Sequence, residues 1–213
     1  GLSRKYMRKA VESSLKRLQT DYIDLYQAHI DDPQTPLEET LSAFGELIDE
    51  GKVRAIGASN YTAQRLATAL RVSEQHGLPR FETLQPHYNL YDRDQFEGDL
   101  ANLCRREELG VIPYFSLASG FLTGKYRTEA DVVGRARADL VSAMLNPRGF
   151  GILEALDEVA AAHSATPAQI ALAWLRAKGV AAPIASATSV DQLNELLAFV
   201  DIELSDDELT RLE

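Results

Sequence analysis

The run Tyr22-Ile23-Asp24-Leu25-Tyr26-Gln27-Ala28 decides the fold, because three more runs of its kind follow at nearly constant intervals. Lys52 to Ala58 reads KVRAIGA, Phe81 to Gln85 reads FETLQ, and Gly110 to Tyr114 reads GVIPY. Their starts lie 30, 29 and 29 residues apart, the length of one strand–helix repeat. A fifth run, Val180 to Ala185 (VAAPIA), starts 70 residues after the fourth. Between the runs apolar residues recur at helical steps, as in Met7, Val11, Leu15 and Leu18, or Leu37, Leu41, Phe44 and Ile48. Ser189-x-x-Gln192, Thr166-Pro167-x-Gln169 and Ser205-x-x-Glu208 have the form of capping boxes. Gly51, Gly77, Gly110 and Gly179 stand where helices would stop. The long last interval predicts a helix over Ala168 to Lys178 and an insertion from about Thr128 to His163. Gly134, Asn146, Pro147, Gly149 and Gly151 make most of that insertion read as loop, with helical spacing only at Ile152, Leu156 and Val159.

Strands that alternate with helices pair in parallel under a helical cover. An open doubly wound sheet and a (β/α)8 TIM barrel both satisfy that rule. The first would carry a Gly-x-Gly-x-x-Gly turn after an early strand, and the chain has none. The second gathers polar residues at the C-terminal ends of its strands. His29 and Asp31-Asp32 follow the first run, Ser59-Asn60 the second, and Gln85 and His87 the third. Tyr114 and Ser116 follow the fourth, and Ser186 and Thr188 the fifth. The barrel is therefore the expected architecture, with 1–213 forming a single partial barrel domain.

Composition narrows the function. The chain has 213 residues, 45% of them hydrophobic, with 22 Lys+Arg against 32 Asp+Glu and a net charge of −10. The apolar share excludes a disordered chain. An acidic balance without a basic patch argues against nucleic acid. No run of ~18 apolar residues is present to cross a membrane. Cys104 is the lone cysteine, which excludes a disulfide framework and, with no export signal, points to the cytoplasm. No spacing of His, Cys or Asp resembles a metal site, and no Gly-x-Ser-x-Gly elbow occurs. His76 and His163 read as surface residues, whereas His87 is placed to face the mouth.

At the strand ends the residues become recognisable. Leu25-Tyr26-Gln27-Ala28-His29 resembles the strand-and-histidine segment of the aldo-keto reductases. Gly57-Ala58-Ser59-Asn60-Tyr61 resembles that family's Gly-x-Ser-Asn-aromatic turn, and Gln85-Pro86-His87-Tyr88-Asn89-Leu90 its Gln-x-x-Tyr-Asn-Leu segment. Pro113 to Tyr126 is similar to the loop over the cofactor in the branch related to potassium-channel β subunits. Thr166 to Leu175 is similar to a family helix. The matches run in family order over nearly the whole chain.

The resemblance implies a (β/α)8 barrel and NADPH-dependent reduction of aldehydes or ketones to alcohols. NADP(H) would lie across the C-terminal mouth without a Gly-rich phosphate loop. His29 matches the histidine of the family's Tyr-Lys-Asp-His tetrad, which orients the carbonyl. Ser59, Asn60 and Gln85 match contacts to the nicotinamide carboxamide, and Tyr114 matches the aromatic that stacks on the ring. Where the family usually has Ser-Pro-Leu this chain has Phe115-Ser116-Leu117, a departure that leaves room for the family's backbone contacts to pyrophosphate. Leu117, Ala118, Lys125 and Arg135 match further pyrophosphate positions. Ser186, Thr188, Gln192 and Glu195 match the adenosine end, with Leu196 where Asn often stands.

The resemblance begins inside the family pattern: Gly1 to Gln19 matches the helix after the third barrel strand. The five runs then correspond to strands four to eight, and roughly 100 residues carrying the tetrad Tyr, Lys and Asp have no counterpart. The expected partner is a small carbonyl substrate, with neither nucleic acid nor membrane, and the oligomeric state is open. A non-catalytic nicotinamide-binding regulatory subunit is the alternative; His29, often absent from the channel-associated branch, speaks for catalysis. A Schiff-base aldolase or isomerase is a third reading, but Lys52 stands at the wrong end of its strand.

Overall fold

The computed structural model describes every residue except Ala136. The chain falls into two compact units. The first comprises Gly1–Pro86 and Glu97–Val111, and the second His87–Phe96 and Ile112–Glu213.

The first unit alternates α1 (Arg4–Leu18), β1 (Ile23–Ala28), α2 (Leu37–Asp49), β2 (Val53–Ser59), α3 (Ala63–His76), β3 (Phe81–Gln85), α4 (Asp99–Arg106) and β4 (Gly110–Val111). The four strands form one parallel sheet in the order β1-β2-β3-β4. Sequential order without reversal is the pattern of a barrel wall; a doubly wound sheet reverses at a switch point. Side chains alternate across the pleat. Tyr26, on one face of β1, packs edge-on against Phe44 of α2 at 6.1 Å, and Phe44 does the same against Phe81 at 6.1 Å. Leu41, Phe44, Leu47, Ile56, Leu66, Phe81 and Leu84 are almost fully buried and make the core of this unit. Cys104 is buried too, and desolvation pushes its thiol up to about 11.

The other face carries Ile23, Leu25 and Val53 and, nearer the strand ends, a polar contact. Gln27 pairs in register with Gly57, and Gly57 with Thr83. Thr83 Oγ1 donates to Gln27 Oε1 at 3.2 Å, passing over Gly57. A Cβ built on Gly57 would stand 2.1 Å from Thr83 Oγ1 and 2.9 Å from Gln27 Oε1. Glycine is required there by close approach alone.

The second unit contains a 3-10 segment over Ala118–Thr123, then α5 (Glu129–Val132), α6 (Ala138–Ser142), α7 (Pro147–Ala162), α8 (Pro167–Ala177), α9 (Val190–Leu197) and α10 (Asp206–Leu212). Its core gathers Tyr88, Phe121, Leu153, Leu156, Leu172 and Trp174. Tyr88 packs at 5.4 Å from the Trp174 ring and 4.7 Å from Phe96. Thr166 and Ser205 form the capping boxes that the sequence predicts, with Gln169 and Glu208 as reciprocal partners. Ser189 caps α9 through Gln192 N, but the Gln192 side chain turns to Thr188 instead. His163, expected at the surface, is part-buried and bonds Glu208 at 2.8 Å. Among the described residues no helix is long and apolar enough to cross a membrane.

Two expectations are corrected. Val180 to Ala185 is not a strand: among the described residues Ile184 N to Pro113 O, 3.1 Å, is its one backbone bond to the Gly110–Tyr114 run. Pro183 and Pro113 each lack an N–H, so a ladder cannot continue through either segment, and β4 itself stops at Val111. The insertion is also more helical than its glycines suggest. Asn146 caps α7 by accepting from Gly149 N at 3.0 Å, with Pro147 at the first helical position. Gly149 serves packing, since a Cβ there would lie 1.9 Å from Met144 O and 2.9 Å from Phe121.

Gly57→Ala should therefore destabilise the chain by about 1–3 kcal/mol through overpacking. A urea denaturation midpoint read on the two proteins checks this, and an unchanged midpoint would remove the close-approach role of Gly57.

Candidate functional site

In the first unit the register of the parallel strands brings His29, Ser59, Asn60 and Gln85 to one rim, since Ser59 pairs directly with Gln85. Ser59 is buried and its hydroxyl donates to Gln85 O at 2.9 Å. Asn60 takes a left-handed φ of 56°, a conformation that Asn tolerates better than most residues. That turn sends Nδ2 to His29 O at 2.9 Å and to Ser59 Oγ at 3.1 Å. The backbone after β1 is thus tied to the end of β2, while the His29 side chain stays exposed. A second tie holds the same loop: Arg65 Nε, in the first turn of α3, lies 3.0 and 2.9 Å from the two oxygens of Asp31. Asp31 and Asp32 do not act as a pair. Asp32 accepts from Leu2 N and Thr35 Oγ1, contacts that hold its carboxyl below the usual range. Tyr61 packs edge-on to Phe81 at 5.5 Å, and burial pushes its phenol well above the ordinary tyrosine range.

In the second unit a cleft of about 520 Å³ opens beside the 3-10 segment, within the size range of small-molecule sites. Of the residues singled out in the sequence, Tyr114, Phe115, Ser116, Leu117, Lys125, Arg135, Ser186, Thr188 and Gln192 all line it. Ala118 is buried and is not among the lining residues, and Glu195 lies exposed on α9, with Leu196 lining the cleft instead. Ser119, Thr123 and Tyr126, within the Pro113 to Tyr126 segment, line it as well, and so does Arg137, which no motif announced. The signal for Arg137 was its repeat of Arg135 two residues on.

The charged side chains that line this cleft are all cations. Arg4, Arg8, Lys52, Arg54, Arg65, Arg127, Lys178 and Arg211 are each paired with a carboxylate. Among the described residues Lys125, Arg135 and Arg137 have no such pair. Three cations gathered in one lining on an acidic chain make a local field suited to an anion, with Asp131 the one carboxylate that interacts with Arg135. The backbone here is strained as well: Phe115, Ala118 and Ser119 have φ of 55°, 48° and 58°. Non-glycine residues hold such angles at a cost of roughly 1 kcal/mol or more each, and they cluster at functional sites.

Several hydroxyls and amides of the cleft already serve the fold. Ser116 Oγ donates to Pro113 O at 3.1 Å. Thr188 N and Oγ1 both donate to Gln192 Oε1, at 2.7 and 3.1 Å. Behind Tyr114 lies a fixed network. Asn89 is fully buried, its Oδ1 accepts from Tyr91 N and Asp92 N at 2.8 Å each, and its Nδ2 donates to Phe115 O at 3.1 Å. Asn89 Nδ2 also reaches Asp92 Oδ2 at 3.1 Å, and His87 Nε2 lies 3.1 Å from the same oxygen. The His87 hydrogen bond is the largest cause holding the Asp92 carboxyl below its usual range.

The aldo/keto reductase family model matches residues 1–213. The chain is 38% identical over 235 residues to protein tas of Escherichia coli (strain K12), all of this chain aligning with 67% of that protein. It is 35% identical over 215 residues to an aldo-keto reductase of Fusarium vanettenii, all of it covering 58% of that relative. Among solved structures, the crystal structure of a thermostable aldo-keto reductase, Tm1743, in complex with the inhibitor epalrestat superposes with a TM-score of 0.79 at 33% identity. That match covers 99% of this chain and 66% of the other. The chain thus spans about three-fifths to two-thirds of the length of these relatives.

A carboxylate held below its ordinary pKa of ~3.9 stabilises the fold above that value, and the contribution is lost as the pH falls through the depressed one. Asp92→Asn should therefore lower the urea midpoint at neutral pH, and the gap to wild type should close on acidification through the carboxylate range. A gap that persisted at the acid end would show that the Asp92 charge is not what stabilises the network.

Proposed function

The chain belongs to the aldo/keto reductase family, and from that premise we propose that it is the C-terminal part of an NADPH-dependent oxidoreductase that reduces aldehydes or ketones to alcohols. The carrying observation is the second unit's cleft, which Lys125, Arg135 and Arg137 line together with Tyr114 and which no carboxylate lines. That donor set fits a ligand with phosphates at one part and a planar ring at another. In this reading Lys125 and Arg135 hold phosphate charge, and the turned backbone at Phe115 to Ala118 offers N–H groups to pyrophosphate. Ser186, Thr188 and Gln192 line the adenosine portion. Glu195 would have to swing in from the surface to join them.

A dinucleotide held in this cleft would supply the hydride for reduction of the carbonyl carbon. The rest of the chemistry belongs to the protein. In the first unit Ser59, Asn60 and Gln85 offer hydroxyl and amide groups that complement a carboxamide's one acceptor and two donors. His29 can donate a ring N–H to the carbonyl oxygen, fixing its direction and drawing electron density from the carbon. The new alkoxide then needs a proton from an acid held within hydrogen-bond reach. The family's donor is a tyrosine tuned by Lys and Asp, and none of the eight tyrosines here sits in a matching motif.

Two outcomes follow. Titration of the chain with NADPH, followed by cofactor fluorescence, should saturate. Lys125→Ala with Arg135→Ala should weaken it roughly tenfold or more, as expected for lost hydrogen bonds to a charged group. No saturable binding of NADPH or NADH by the unaltered chain would sink the proposal. The 213-residue chain alone should show no aldehyde reduction above the uncatalysed rate, measured as NADPH consumption; robust turnover would mean that a proton donor within this sequence suffices.

A further inference from the structure

Tyr114 is not a solitary ring. The His87 imidazole stacks on it with centroids 5.2 Å apart and planes 24° from parallel. Phe115 meets both edge-on, at 5.3 Å from His87 and 5.2 Å from Tyr114. His87 and Tyr114 are also joined by an isolated parallel bridge of the backbone. Three rings in mutual contact beside a cleft make a rigid platform, provided that the outermost one cannot rotate away. His87 cannot do so freely. Its Nε2 is held by Asp92 Oδ2, and Asp92 is held in turn by the buried amide of Asn89. The same amide bonds Phe115 O, so one side chain fixes both His87 and the turn that carries the third ring.

We propose that His87 is a positioning residue for the nicotinamide: it covers one face of the Tyr114 ring and so dictates the face on which the cofactor ring stacks. The proposal rests on the reading of Tyr114 as the nicotinamide platform. A planar ring has two faces, and the imidazole occupies one of them. A second planar group can stack only on the other, with its own far side left to the substrate. Stacking on a backed and immobile ring costs less ordering than stacking on a free one, and an aromatic pair contributes beyond its buried area. Electrostatics fit as well, since the Asp92 carboxylate is engaged by His87 and Asn89, and the charged residues that line the cleft are Lys125, Arg135 and Arg137.

The test compares two ligands that share every phosphate and differ in the nicotinamide. The unaltered chain, His87→Ala, His87→Leu and His87→Phe are titrated with NADPH and with 2′-phospho-ADP-ribose. Leucine fills the space without a planar face, and it serves in place of alanine should that variant fail to fold. Loss of the backing ring should raise the Kd for NADPH about three- to tenfold and leave that for 2′-phospho-ADP-ribose within about twofold. Phenylalanine, which keeps the stack and gives up the bond to Asp92, should restore NADPH binding to within about twofold of the unaltered chain. Equal weakening of both ligands would reduce His87 to a structural role and overturn the proposal. Unchanged NADPH binding in the alanine or leucine variant would overturn it too, as would failure of phenylalanine to rescue. If the unaltered chain binds 2′-phospho-ADP-ribose as tightly as NADPH, the platform itself carries no binding and this inference falls while the phosphate reading stands. If it binds neither, the broader functional reading falls with it.

Discussion

In a parallel sheet every strand ends on the same edge, so the register that sets Gln27 against Gly57 and Gly57 against Thr83 also delivers Ser59 and Gln85 to one rim. That register is fixed from both faces. On one, Tyr26, Phe44 and Phe81 interlock edge to edge. On the other, a hydrogen bond crosses β2 at the one place where the strand has no side chain. A slip of one residue would turn each strand's faces inside out, burying Gln27 and Thr83 among the aromatics. The position of His29 follows from this constraint, because its carbonyl is tied by Asn60 to the neighbouring strand end.

Charge is distributed as deliberately as the apolar residues. Most cations of the first unit are held by carboxylates on its surface, as where Arg8 meets Glu46 and Glu50 and Lys52 meets Glu12 and Glu50. Exposed pairs of that kind stabilise little. On a chain of net charge −10 the lining of the second unit's cleft, with Lys125, Arg135 and Arg137 and no carboxylate, is opposite in sign to the whole. That contrast in sign favours an anionic ligand in the cleft.

What could be read from the residues divides along physical lines. β1 to β3 and α1 to α3 were legible because burial on one face imposes a period, and the period survives in the sequence. The caps at Thr166 and Ser205 were legible because their partners stand three residues away. Val180 to Ala185 reads as a strand by composition, and Pro183 defeats it, a case where one missing N–H outweighs five apolar neighbours. α7 was hidden by Gly149, whose role is a contact with Met144 and Phe121 that no local rule encodes. The site divides in the same way. The strand-end residues were visible from their spacing. The gathering of three cations in one cleft, the stacking of His87 on Tyr114 and the bond of His87 to Asp92 depend on what the chain brings together in space, which spacing does not record.

The single cysteine and the single tryptophan fall in different units: Cys104 is buried in the first and Trp174 in the second. Each unit therefore carries its own native reporter. Thiol accessibility follows opening of the strand-bearing unit, and indole emission follows loosening of the unit with the cleft. Whether the two melt together or in succession can be read from one unlabelled sample. A ligand that binds the cleft should delay the optical transition first, and any lag in the chemical one measures how strongly the two halves are coupled.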